Sequence, residues 1–159
     1  MLEDQVLRRR LIRFGLFLVV ALWFMLIISP CINFLNSFYP FQKQLLSTVC
    51  HQNTYKTFFC NYTPLLVCAR CTGIYAGALF VSFAVILYSK QFIFKTNYLA
   101  LLSAPMLIDV ILLNFGFYNY YKPLSAFTGF LFGSSVFLYI LSAIENLLFS
   151  KQKLKNEQQ

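Results

Sequence analysis

Charged residues are scarce in this chain of 159 residues: they make up 11% of it, and five of them are acidic. The single histidine excludes a histidine-rich metalloenzyme centre and a haem held by two histidines. A glycine-rich phosphate loop, an HExxH helix, paired carboxylates and a serine–histidine–aspartate set are also missing. The sequence therefore lacks the motifs by which the commonest hydrolases and nucleotide-binding enzymes are recognised.

Apolar residues, by contrast, are abundant: 59% of the chain is hydrophobic and 19% is aromatic. A chain of this length cannot hide so much apolar surface in a core, so lipid is its expected solvent. A helix needs about 20 mainly apolar residues to cross a bilayer. The segments that meet this requirement are 14–35, 64–88, 97–117 and 124–148.

Lysine and arginine lie unevenly around these predicted spans, and basic loops tend to stay in the cytoplasm. The cytoplasmic side would receive nine basic residues: Arg8, Arg9, Arg10, Arg13, Lys90, Lys95, Lys151, Lys153 and Lys155. The other side would receive three: Lys43, Lys56 and Lys122. We therefore predict that both termini are cytoplasmic and that the loop between the first two spans is extracytoplasmic.

These patterns predict an all-α membrane protein, built as a bundle of four transmembrane helices. The bundle forms a single domain over residues 1–150, and residues 151–159 form a short polar cytoplasmic tail. We expect it in the cytoplasmic (inner) membrane of a prokaryote. Its expected partners are the lipid bilayer and either other membrane proteins or further copies of the chain. Basic residues at helix ends explain the net charge of +8 without a nucleic acid.

Glycines spaced four residues apart occur in two of the predicted spans. Gly73 and Gly77 lie in the second, and Gly129 and Gly133 lie in the fourth. Such spacing places both glycines on one helix face and lets two helix backbones approach closely. We expect these faces to pack against neighbouring helices.

Three cysteines and the histidine lie within the predicted extracytoplasmic loop or directly after it. Cys50 and His51 are adjacent, and Cys68 and Cys71 follow at the outer start of the second predicted span. Thiolates and imidazole are preferred ligands of zinc. The spacing of about seventeen residues between the two halves is within the range of zinc modules. We therefore predict a metal site, most simply zinc, held by Cys50, His51, Cys68 and Cys71. Because adjacent residues can bind one ion only from a bent backbone, Cys60 is an alternative fourth ligand.

Other interpretations of the cysteines remain open. Cys68 and Cys71, with Arg70 between them, have the spacing of a redox pair at a helix N-terminus. Cys50 and Cys60 could then shuttle electrons, as in the quinone-linked thiol oxidases that this architecture looks like. A plain disulfide that ties the loop to the second helix is another possibility, and so is a non-catalytic subunit of a larger membrane complex. Cys31 is most simply a small buried hydrophobic residue.

Two charged residues fall inside predicted spans, where charge is costly. By helix rise, Asp109 lies roughly 10 Å and Arg70 roughly 9 Å below the outer ends of their spans. These similar depths predict an ion pair just beneath the cysteines. The pair would pin two helices together, orient the metal ligands, or relay protons to them. Tyr75 and Gln52 are the other polar residues expected around this site.

The strings Cys50-His51-Gln52 and Cys68-Ala69-Arg70-Cys71-Thr72-Gly73-Ile74-Tyr75-Ala76-Gly77 carry a resemblance to a known family. Together they resemble a prokaryotic family of small predicted membrane proteins, the domain of unknown function numbered 2085. The resemblance covers about residues 45–135 and includes Pro105, Asp109, Thr128 and Gly129.

This chain departs from the family pattern shortly after the histidine. Lys56 and Thr57 stand where the family tends to have arginine and serine. Cys60 is not part of the pattern, so the resemblance favours Cys50, His51, Cys68 and Cys71 as one site. It implies site residues but no reaction, and whether the protein is an enzyme stays open.

Overall fold

Four long helices form the body of the protein, and shorter elements lie between the first two. The structure is a computed structural model that describes residues 2–31, 39–60, 62–88 and 96–156. The long helices are α1 (Leu2–Ile28), α3 (Ala69–Leu87), α4 (Thr96–Asn114) and α5 (Lys122–Asn156). The shorter elements are a 3-10 turn (Ser29–Cys31), α2 (Tyr39–Ser47), a second 3-10 turn (Thr54–Lys56), β1 (Thr57–Cys60) and β2 (Thr63–Cys68).

The prediction of a four-helix membrane protein is confirmed. The segments long and apolar enough to cross a bilayer are Val6–Cys31, Ala69–Leu87, Thr96–Asn114 and Lys122–Leu148. Large hydrophobic side chains point outward along all four, including Leu22, Leu87, Leu101 and Leu147. In water this surface would be unfavourable, but lipid chains solvate it. The predicted orientation of the termini stays a prediction.

The predicted boundaries differ from the observed ones mainly at the second span. The prediction begins it at Pro64, whereas residues 63–68 form strand β2 and the helix begins at Ala69. Cys68 keeps an extended backbone as the residue before the helix. Elsewhere, α5 continues to Asn156, into the predicted tail, and residues 32–35 of the first predicted span lie outside the described residues.

The glycine faces of α3 and α5 pack against each other, as their spacing predicts. A Cβ atom on Gly73 would collide with the carbonyl oxygen of Ala126 in α5. In return, a Cβ atom on Gly133 would collide with the carbonyl oxygen of Ile74 in α3. This close crossing forms the centre of the bundle; α4 packs against α5, and α1 packs against α3.

The two strands form an antiparallel hairpin between α2 and α3. Cys60 pairs with Thr63 and Thr57 pairs with Cys68, with an irregularity in the register between them. Tyr62, in the turn, has a positive φ of 66°. The hairpin returns the chain to the start of α3, so it fixes where Cys68 and the first turn of α3 lie.

Candidate metal centre

Three cysteines meet at the start of α3. Cys50 follows α2, Cys68 ends β2, and Cys71 lies in the first turn of α3. Their sulfur atoms all lie within 4.8 Å of one another. We call Cys50, Cys68 and Cys71 the thiol triad. Cys50 is buried, and the other two are half-buried.

Local packing explains why the triad assembles. Ile27, Leu46, Leu66 and Val67 are fully buried and form a small apolar core with Cys50. The backbone N–H of Cys50 donates to the carbonyl oxygen of Leu46 at 3.0 Å, which folds the chain back after α2. The backbone N–H of Cys68 then donates to the sulfur of Cys50 at 3.2 Å. The triad is therefore held by hydrogen bonds and by its apolar floor.

The pKa values of the Cys50 and Cys68 thiols shift in opposite directions. Hydrogen bonds from the thiols of Cys68 and Cys71 lower the pKa of Cys50, although burial opposes that shift. The pKa of Cys68 is raised, chiefly because its thiol donates to Cys50. The cluster thus stabilises a thiolate at Cys50, and metals bind cysteine in the thiolate form.

His51 and Gln52, which the sequence places in or beside the site, lie outside the triad. The side chain of His51 is exposed. Gln52 has a positive φ of 47°, and its amide nitrogen donates to the carbonyl oxygen of Lys43 at 2.8 Å. The chain therefore turns away from the triad directly after Cys50. Tyr75, in contrast, packs against the small core that includes Cys50.

An ion pair lies next to the triad, between α3 and α4. A terminal nitrogen of Arg70 donates to Oδ2 of Asp109 at 2.5 Å. Asp109 is the one buried residue of α4. Arg70 stands between Cys68 and Cys71, so the pair joins the base of the triad to α4.

Two further hydroxyl groups complete this pair. Tyr118 donates to Oδ1 of Asp109, and Ser125 donates to Oδ2 at 3.2 Å. The hydrogen bond to Asp109 raises the pKa of Tyr118 to about 12. Sequence reasoning missed both residues, because nothing in their local sequence distinguishes them from other polar residues near helix ends.

The remaining two cysteines form a disulfide, Cys31–Cys60. This corrects two interpretations: Cys31 is not simply a small hydrophobic residue, and Cys60 is neither a partner of Cys50 nor a metal ligand. The hairpin brings Cys60 to the end of α1, where Thr63 also donates to the carbonyl oxygen of Pro30 at 3.3 Å. The disulfide links two residues that are 29 positions apart, and Cys50 lies in the loop that it closes.

The fold and site thus define a class: a four-helix membrane protein with a cluster of three thiols beside a partly buried arginine–aspartate pair. The chain belongs to the predicted membrane protein family DUF2085, whose family model matches residues 50–139. That segment contains the whole thiol triad, Arg70, Asp109 and Tyr118, whereas Cys31 lies outside it.

A relative supports this membership. The uncharacterised protein MJ1492 of Methanocaldococcus jannaschii is 33% identical over 110 residues, which are 67% of this chain and 70% of the relative. No solved structure matches the chain.

Proposed function

We propose that this protein is a multipass protein of a prokaryotic inner membrane that binds zinc through the thiol triad on the extracytoplasmic side. The observation that carries the proposal is the meeting of three sulfur atoms within 4.8 Å. Zinc–sulfur bonds are about 2.3 Å long, which sets two sulfurs of a tetrahedral site about 3.8 Å apart. Small side-chain rotations would bring the triad to that geometry.

The disulfide supports both the extracytoplasmic position of the triad and its binding of a metal ion. Disulfides form in oxidising compartments, so Cys31–Cys60 favours an extracytoplasmic position for the hairpin. Three thiols in such a compartment could form one disulfide and would leave the third sulfur unpaired. A metal ion satisfies all three together, which is why we prefer it.

The fourth ligand is His51 or a water molecule. His51 follows Cys50 directly, but its exposed side chain would have to turn toward the triad. Catalytic zinc sites hold three protein ligands and an open position, whereas structural sites hold four. A His51→Ala variant separates these possibilities, because its zinc affinity falls only if the histidine is a ligand, even where three thiolates and a water still hold the ion.

The Arg70–Asp109 pair would orient the ligands from below. Arg70 lies between two of the proposed ligands, and its guanidinium is fixed by Asp109. Groups that hold the ligands in place often matter for affinity nearly as much as the ligands themselves.

Metal analysis of the purified full chain tests this proposal. We expect about one zinc per chain, and loss of zinc when any member of the triad is changed to serine. The matched control is the double variant Cys31→Ser, Cys60→Ser, which removes two cysteines outside the triad and should retain zinc.

Because a triad variant could fail for lack of folding, the unmodified chain is also loaded with Co²⁺. We expect the absorption band of thiolate-to-cobalt charge transfer. Less than about a tenth of an equivalent of metal, together with no such band, would overturn the proposal.

A thiol–disulfide oxidoreductase is the second candidate. One observation favours it: Cys68 and Cys71 are free thiols at the start of α3, with Cys50 close enough for exchange. Oxidation of Cys68 and Cys71 to a disulfide releases two electrons and two protons, which a quinone would take up as a quinol. Thiol trapping decides: this candidate requires an oxidised Cys68–Cys71 pair that quinone restores after reduction.

A non-catalytic subunit of a larger complex is the remaining candidate. It is distinguished from the zinc-binding protein and the oxidoreductase by membrane proteins that co-purify with it in stoichiometric amounts in mild detergent.

A further inference from the structure

Two lysines lie where the β-hairpin meets the start of α5, next to the thiol triad. Lys56 ends the 3-10 turn before β1, and Lys122 begins α5. The ammonium group of Lys122 donates to the carbonyl oxygen of Thr57 at 2.8 Å. The phenol of Tyr120 donates to the carbonyl oxygen of Lys56 at 3.4 Å. Because Thr57 pairs with Cys68 across the hairpin, both lysines lie close to a member of the triad.

The ammonium groups of both lysines face aromatic rings. The Nζ atom of Lys56 lies 5.3 Å from the centre of the Tyr120 ring, and that of Lys122 lies 5.2 Å from the centre of the Phe59 ring. A ring attracts a cation but does not neutralise it. An ammonium group has three N–H donors. Lys122 uses one of them on Thr57, and Lys56 uses none on an oxygen atom of the described residues, so both keep donors for a further acceptor.

These half-buried ammonium groups have no carboxylate partner in the part of the chain that the structure describes. Asp109 is the described acidic residue at this end of the bundle, and its two oxygens accept from Arg70 and from hydroxyl groups. The other described acidic residues belong to the opposite end: Glu3 and Asp4 open α1, and Glu145 takes part in a different ion pair. The surface beside the triad therefore carries two positive charges that attract an anion.

We infer that Lys56 and Lys122 bind a phosphate group beside the thiol triad. A phosphate presents oxygens in several directions, so it can accept from ammonium groups that come from two different elements. Lys122 is also the first residue of the membrane-spanning segment Lys122–Leu148, which places the site at the membrane surface. The phosphate belongs either to a lipid head group or to a soluble molecule, and the experiment separates these sources. The inference goes beyond the metal centre and does not require a bound metal.

Binding of inorganic phosphate is measured on the purified full chain in an uncharged detergent, by the broadening of the phosphorus NMR line. Chloride keeps the ionic strength constant, so that general screening of charge does not contribute. We expect saturable binding, and a loss of affinity of at least about tenfold in the double variant Lys56→Met, Lys122→Met, which loses two charge-assisted hydrogen bonds. The double variant Lys56→Arg, Lys122→Arg keeps both charges and should retain binding.

The matched control is Lys43→Met. Lys43 is an exposed lysine of α2 at the same end of the bundle, so this variant loses a positive charge away from the proposed site and should bind phosphate as the unmodified chain does. If the double methionine variant does not fold, Lys56→Met alone replaces it, because the Lys56 ammonium group makes no hydrogen bond with the described residues. This single variant should still bind phosphate more weakly than Lys43→Met.

A second arm uses nanodiscs of phosphatidylcholine that contain a small fraction of phosphatidic acid, and native mass spectrometry counts the phosphatidic acid that stays bound. Retention that requires the two lysines, without binding of inorganic phosphate, supports the inference and assigns the phosphate to a lipid head group. Binding of inorganic phosphate that requires them supports it for a soluble molecule.

Absence of binding in both arms would overturn the inference. Equal binding by Lys43→Met and by a folded variant of the two lysines would also overturn it, because the phosphate would then be held by the metal or by overall charge.

Discussion

At the start of α3, Arg70 pairs with Asp109; at the other end of the same helix, Arg13 of α1 pairs with Glu145 of α5 at 2.8 Å. The second pair is more enclosed: the side chains of Arg13 and Glu145 are 3% and 1% exposed, against 19% and 3% for Arg70 and Asp109. Arg13 also donates to the carbonyl oxygens of Val85 and Tyr88, at the end of α3.

The two ion pairs also differ in the groups that surround them. The Arg13–Glu145 pair fastens α1, α5 and the end of α3 together, and it lies at the opposite end of α3 from the thiol triad. The Arg70–Asp109 pair lies beside two of the three thiols and collects the hydroxyl groups of Tyr118 and Ser125. We therefore propose that similar chemistry acts as a structural clamp at one end and as support for the proposed metal site at the other.

The largest effect is expected at the clamp. Glu145→Ala leaves the charge of Arg13 buried without its carboxylate, which should cost about 3–5 kcal/mol of unfolding free energy. Thermal unfolding in detergent micelles measures this loss. Zinc affinity of the folded fraction should not change.

A charge-free replacement is the control for the clamp. The double variant Arg13→Met, Glu145→Leu should recover most of the stability, because it removes both charges. If Glu145→Ala instead lowered zinc affinity without lowering stability, the contrast between the two ends would be wrong.

At the site end, Asp109→Asn should mainly affect metal binding. The change keeps the side chain's shape but removes the charge that fixes Arg70, so we expect a roughly 10- to 100-fold loss in zinc affinity. Competition with a chelator of known affinity measures it. An unchanged affinity would make this pair a second structural clamp.

The smallest effect is expected for Tyr118→Phe, which removes one hydrogen bond to Asp109 and should cost about 1 kcal/mol of stability. The pKa of Tyr118 is raised from 10.0 to about 12 because its phenol donates to Asp109. The stabilisation is therefore present below pH 10 and is lost as the pH rises through about 12. Unfolding curves at increasing pH should converge for the two proteins; parallel curves would contradict this assignment.

The sequence predicts the site end better than the clamp end. Asp109 and Arg70 fall at similar depths of the predicted spans, and this predicts their pairing. The pair is confirmed, but the depth assigned to Arg70 is wrong: α3 begins at Ala69, so Arg70 lies in its first turn, whereas Asp109 lies five residues before the end of α4 at Asn114. Glu145 lies near the end of its span, where a long side chain can reach the membrane surface. Its burial depends on the path of α1 beside α5, and local sequence carries no information about that path.

The connection between the first two spans also depends on contacts that local sequence does not reveal. Pro64, Leu65, Leu66 and Val67 are apolar and continuous with α3, so they suggest the start of a helix. Pairing with β1 makes them a strand, and such pairing is not visible from one segment. Likewise, the number of cysteines does not determine which of them pair.

X-ray absorption at the zinc edge of the purified full chain tests the central claim most directly, because it counts the atoms that bind the metal. The thiol triad predicts three sulfur atoms at about 2.3 Å and one lighter atom, nitrogen or oxygen, at about 2.0–2.2 Å. A zinc shell of nitrogen and oxygen alone, or one with fewer than three sulfurs, would contradict the account.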